Sequence, residues 1–234
     1  MWTISEIKER GKAAFKANYW KCVLVALIMG LFAGTSGRSA STAGQNTSGT
    51  IDVNSVTNGM SSSELLAVAA VVASAVLIIV AVAALLKIFL FNPLEIGGCA
   101  FFRENTIEPG ADLSFIGMGF RNYWHNFVTL FLRDLYLLLW TMLLIVPGII
   151  KAYSYRMVPY ILTDHPELTP NEVITRSREM MDGNKWQSFL LDLSFIGWIV
   201  LGIVTLGLGL VLWTAPYMQS SNAALYLKLS GEEA

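Results

Sequence analysis

The sequence predicts an all-α membrane protein with six transmembrane helices arranged as three hairpins, and with interfacial amphipathic helices before the first and third hairpins. Three observations lead there: apolar residues gathered in long blocks, a short motif that recurs ahead of those blocks, and the way basic residues divide between loops.

Of 234 residues, 54% are hydrophobic and 14% charged, and the mean hydropathy is +0.54. An ordinary soluble domain carries about 25% charged residues, and no soluble core of this size could hide so much apolar chain. The blocks are Val23–Ala33, Leu65–Phe91, Phe127–Val146, Phe189–Leu206 and Leu208–Trp213. Stretches of about 20 residues match a hydrocarbon core of about 30 Å. The net charge of -1, with the sixteen Lys and Arg spread over several loops, argues against a nucleic-acid partner. Cys22 and Cys99 alone cannot build a disulfide framework or a zinc site.

The repeated motif is Asn-x-Trp. Asn18-Tyr19-Trp20, Asn122-Tyr123-Trp124 and Asn184-Lys185-Trp186 each stand before an apolar block, and the amphipathic indole of Trp20, Trp124 and Trp186 suits an anchor at the headgroup level. Upstream of two copies the match continues without a gap: Thr3, Glu6, Arg10, Asn18 and Trp20 align with Thr169, Glu172, Arg176, Asn184 and Trp186. Thr3 with Glu6, and Thr169 with Glu172, have the capping-box form, and Pro170 fits a first helical position.

Taken in order, residues 1–17 form an amphipathic helix, 19–34 the first span, 35–63 a Ser/Thr/Gly/Asn-rich external loop expected to be flexible, and 65–102 the region of the second span. Residues 127–146 and 149–163 make the second hairpin, 169–182 a second amphipathic helix, and 188–206 and 208–229 the third hairpin. Apolar residues at helical spacing, Ile4, Ile7, Ala14 and Phe15, then Val173, Ile174, Met180 and Met181, face away from basic residues, which suggests helices lying flat in the interface. The central copy, Leu113–Phe120, shows no clear cap. Each returning segment holds a proline, Pro93, Pro159 or Pro216, expected to bend its helix. Lys8, Arg10, Lys12, Lys16 and Lys21 ahead of Val23 resemble a secretory signal, but the long helical segment before the apolar run favours a retained first span.

A four-span alternative would leave Lys151, Arg156, Arg176, Arg178 and Lys185 on the outer side. The positive-inside rule therefore selects six spans with both termini cytoplasmic.

Phe131-Leu132-Arg133-Asp134-Leu135-Tyr136 and Val146-Pro147-Gly148-Ile149-Ile150-Lys151-Ala152-Tyr153 carry a family resemblance, together with Asn18-Tyr19-Trp20-Lys21, Asn92-Pro93-Leu94-Glu95-Ile96-Gly97-Gly98, Met181-Asp182-Gly183-Asn184-Lys185-Trp186 and Asp192-Leu193-Ser194-Phe195-Ile196-Gly197-Trp198. The chain resembles the bacterial membrane proteins catalogued as domain of unknown function 975. The resemblance implies a multi-pass protein of the bacterial cytoplasmic membrane and brings no catalytic or binding residues. It is more distantly similar to the membrane domain attached to some glycerophosphodiester phosphodiesterases.

Ionisable residues within apolar blocks are the functional candidates: Lys87, Arg133, Asp134, Asp192 and Glu95. Arg133 is expected to pair with Asp192 or Glu95, because Asp134 points about 100° away around the helix, and the pairing is expected to be a structural one. Asp164-His165-Pro166-Glu167 reads as a polar turn, since no spacing matches a zinc site. No phosphate loop, nucleophile elbow or zinc-helix motif is present. The expectation is a non-enzymatic membrane scaffold or interaction protein, with membrane lipids and a possible cytoplasmic-face protein as partners and with no cofactor, metal, catalytic or cofactor-binding residue. The alternatives are a small-solute transporter or permease and, less favoured, a lipid-handling enzyme.

Overall fold

The computed structural model describes residues 2–33, 62–86 and 91–232, and all regular structure among them is helical. In chain order the helices are α1 (Ile4–Ala17), α2 (Tyr19–Ala33), α3 (Ser62–Leu86), α4 (Asn92–Ile107), α5 (Tyr123–Leu143), α6 (Ile145–Ser154), α7 (Val158–Asp164), α8 (Pro170–Met180), α9 (Lys185–Leu193), α10 (Ile196–Val204) and α11 (Ala215–Ser230). A 3-10 helix, Leu113–Phe120, lies between α4 and α5, and a π-helical stretch, Leu210–Thr214, leads into α11. The external loop 35–63 and Lys87 fall outside the described residues, apart from Ser62 and Ser63 at the start of α3.

Local chemistry explains the boundaries. At α1 the Thr3 hydroxyl accepts from the Glu6 amide at 3.2 Å and the Glu6 carboxylate accepts from the Thr3 amide at 3.3 Å. At α8 the Glu172 carboxylate accepts from the Thr169 amide and hydroxyl, both at 2.7 Å. These contacts satisfy amides that have no partner inside the helix. The central copy does have a cap: Asp112 accepts from the Leu113 amide at 2.8 Å. Pro93 and Pro159 stand in the first turn of α4 and α7, where a missing N–H costs no hydrogen bond, and Pro216 stands where the π-helical stretch passes without a break into α11.

Two runs, Tyr123–Leu143 and Lys185–Val204, are long and apolar enough to cross a membrane. The second is interrupted at Ser194–Phe195, where α9 gives way to α10. Residues 149–163 are likewise not one continuous helix, because α6 ends at Ser154 and α7 starts at Val158.

The amphipathic helices differ most from expectation. Neither lies with its apolar stripe free for lipid; the protein itself takes up both stripes. Ile7, Ala14 and Phe15 are buried, as are Val173, Ile174 and Met181. Helix α1 runs antiparallel along α11: Lys228 pairs with Glu6 at 2.9 Å near one end, Gly11 lies against Ser221, and Phe15 meets Trp213 edge-on at 5.2 Å at the other. A Cβ on Gly11 would fall 2.6 Å from the Ser221 Oγ, so only glycine allows this approach. Helix α8 packs on α6 and α7, with the Ser177 hydroxyl donating to the Ser154 carbonyl at 2.9 Å. Ser177 is the repeat counterpart of Gly11, so both copies place a small residue at the crossing.

The 3-10 helix packs in the same way on α4, through Gly119 against Pro93 and Gly97 against Ile116. Each segment that precedes a hairpin thus covers the returning leg of another: Leu113–Phe120 covers the first hairpin, α8 the second, and α1 the third. The order closes on itself. At the centre the returning legs α4, α7 and α11 meet, with Tyr160 and Tyr226 stacked at 5.1 Å.

Candidate functional site between the hairpins

The expected polar residues are arranged as joints between successive hairpins. Helices α4 and α5 face one another, one ending the first hairpin and the other beginning the second. Arg133 on α5 forks onto the Glu95 carboxylate of α4, donating at 2.8 and 3.2 Å. Its Nε also donates to Asp134 at 2.9 Å. The adjacent carboxylate therefore does reach Arg133, despite the helical rotation between them, because the long arginine side chain curls back toward it. Planar bidentate geometry of this kind matches guanidinium to carboxylate and holds orientation as well as charge.

Asp192 is not the partner of Arg133. It sits on α9, next to α6, and accepts from Arg156 at 2.7 and 3.1 Å and from the Tyr153 hydroxyl at 3.0 Å. Arg156 also donates to Asn222 of α11 at 2.6 Å. This second joint ties the returning leg of the second hairpin to both legs of the third. A third cluster lies at the far end of the returning legs, where Arg103 pairs with Asp164 at 2.8 Å and Glu232 at 2.6 Å, and Tyr226 donates to Asp164. Burial pushes the Asp164 carboxyl up from its ordinary value, against the pull of Tyr226 and Arg103.

The third hairpin closes on the first through the Arg103–Glu232 pair and through the packing of α11 on α2, which presents buried Cys22. Residues 142–233 match the family described as Protein of unknown function (DUF975). Over that stretch the chain is similar to the family. The matched stretch starts in the last turn of α5 and includes Arg156, Asp192 and Asn222, so the whole second joint lies inside it. No curated protein and no solved structure matches the chain, and a link to glycerophosphodiester phosphodiesterases is not shown.

The three motif tryptophans point outward, with Trp20 75%, Trp124 70% and Trp186 69% exposed. Two of their asparagines bond to residues distant in sequence. Asn18 donates to Asn105 at 2.9 Å and to the Ala111 carbonyl at 3.1 Å, and Asn184 accepts from the Trp2 indole at 2.9 Å. Trp124, with Tyr123, His125 and Val128, lines an open groove of about 730 Å³ against Pro166 and Pro170. That groove lies away from the charged joints. Among the described residues no His, Cys, Asp and Glu side chains cluster in a way that could hold a metal, and His165 contacts Glu167 at 3.1 Å.

Sequence reasoning missed Arg156, Tyr153 and Asn222 as members of the second joint. Arg156 was visible as a charge in an apolar stretch. Asn222 gave no signal, because it is one polar residue in a mixed helix.

Proposed function

We propose that this chain is an integral membrane protein, anchored by apolar hairpins and with both termini cytoplasmic, that acts as a non-enzymatic scaffold or interaction protein. One observation carries the reading. The ends of the hairpins carry a run of bare apolar side chains: Leu138, Leu139, Met142 to Val146 and Ile149 on one, Val200, Leu201, Val204, Leu206 and Leu208 on the other. An exposed apolar surface this continuous marks contact with lipid or protein. Basic residues Lys12, Arg176 and Arg178 sit on the body, as the positive-inside rule asks of a cytoplasmic face. Six complete crossings would require every hairpin to traverse the bilayer.

The scaffold reading draws on the charged joints. Arg133 and Arg156 have their guanidinium donors engaged by carboxylates and by Asn222, an arrangement that fixes helix packing rather than offering a site to a solute. The test is recovery of partners and lipids from native membranes by wild type and by a charge-reversed R176E/R178E chain. Loss of specific partners or acidic lipids from the variant is the expected result. An identical set in both, together with solute uptake by the purified protein in liposomes, would replace the scaffold by a permease.

A further inference from the structure

We infer that the second and third hairpins end inside the bilayer, in the leaflet on the side of the packed body, and do not cross it. The inference rests on the membrane reading above and adds the depth to which the chain enters.

The length available is the first argument. In the third hairpin the ascending leg, α9 and α10, has about 30 Å in all at 1.5 Å per residue. Its lower half is contacted along one side by the charged helix α1. Trp2 bonds Asn184 at 2.9 Å, and the Lys8 ammonium reaches the Ser194 carbonyl at 3.3 Å and lies 4.7 Å over the Phe195 ring. The part beyond those polar and charged contacts, Ile196 to Leu206, is about 15 Å. In the second hairpin the part beyond the Arg133 and Asp134 charges, Leu135 to Leu144, is about 14 Å. Lys151 on its returning leg stands 4.8 Å over the Trp140 ring, so the charge-free part is no longer than that. Both values are about half of a 30 Å hydrocarbon core.

The chemistry of the tips is the second argument. A hairpin that emerged into water on the far side would turn through polar residues. These turn through Leu143-Leu144-Ile145-Val146-Pro147-Gly148 and Val204-Thr205-Leu206-Gly207-Leu208. Leu206 is 95% exposed and holds φ at 55°, a left-handed conformation that in water is normally given to Gly or Asn. A leucine there is explained by an apolar surrounding.

The backbone is the third argument, since hydrocarbon offers no partner to a free amide. Every amide from Thr205 to Val211 is bonded within the tip. Thr205 donates to Leu201, Leu206 to Ile203, Gly207 to Gly202, Leu208 to Thr205, and both Leu210 and Val211 to Gly207. Gly209, the remaining one, donates to the Thr205 hydroxyl at 3.0 Å. A turn in water has no need of so complete a set.

The experiment places nitroxide labels on L206C and I145C in the full chain in membranes, with wild type as the control because Cys22 and Cys99 are buried. Both tip labels should collide freely with oxygen and hardly at all with an aqueous nickel chelate, as for a depth near the bilayer centre. Neither cysteine should react with an impermeant thiol reagent on either side, while E232C reacts on one. Reaction of a tip from the side opposite Glu232 would overturn the inference in favour of full crossing and leave the membrane reading intact. Release of wild type by an alkaline carbonate wash would overturn both. A separate L206N chain guards against misfolded cysteine variants: a tip in hydrocarbon makes it melt at lower temperature than wild type, whereas a tip in water makes it melt higher by relieving the backbone.

Discussion

At the residue scale, the joint between Arg156 and Asp192 shows how little freedom a partly buried charge has. Removing one partner strands the other, at a cost of about 3–5 kcal/mol, whereas replacing both by apolar groups of similar shape costs much less. R156M should therefore unfold at a clearly lower temperature in detergent, and R156M/D192L should regain most of the loss. Equal melting of single and double variants would show that the pair does not couple. Gly11 is constrained by space. Its Cβ-free approach to Ser221 means that G11A should destabilise by about 1–3 kcal/mol through overpacking, measurable in the same melts, while an alanine at exposed Gly30, where nothing lies within 4 Å, gives a control for helix propensity alone.

At the element scale, the caps of α1 and α8 are repeat counterparts and should respond alike. T3A and T169A should each cost about 1 kcal/mol, seen as a midpoint shift of about 2–4 °C for a chain of this size. The same caps set a pH dependence. A hydrogen bond from Lys228 and one from the Thr3 amide hold the Glu6 carboxyl below its ordinary value of 4.5. Bonds from the Thr169 hydroxyl and amide do the same for Glu172. A carboxyl depressed by folding contributes stability that is complete above its unfolded value and lost as pH falls through the folded one. The melting temperature should fall as pH drops below about 4.5, and E6Q/E172Q should flatten that slope; an unchanged slope would place the acid sensitivity elsewhere.

At the scale of the whole molecule, cyclic closure makes the first helix part of the core. Deleting residues 1–17 would bare the face of α11 that carries Ser220, Ser221 and Tyr217, all buried in the intact chain. The truncated chain should lose its cooperative melting transition by circular dichroism. A truncated chain that melts like the intact one would mean that α1 is a detachable surface helix, as its amphipathic pattern alone suggests.

Much of this was legible in the sequence, because it is written in short spacings. The helical class, the two capping boxes, the Asn-x-Trp marks and the proline in each returning segment depend on neighbours within a few residues, and helix caps and periodicity act over that distance. The tertiary structure decided what those elements touch. An amphipathic stripe specifies an apolar partner without saying whether it is lipid or α11, and Arg133 specifies a carboxylate without saying which. Glu95 is 38 residues from Arg133 and Arg156 is 36 from Asp192. Which pair meets depends on the rotation and register of whole helices, and that is settled only when the three hairpins pack together.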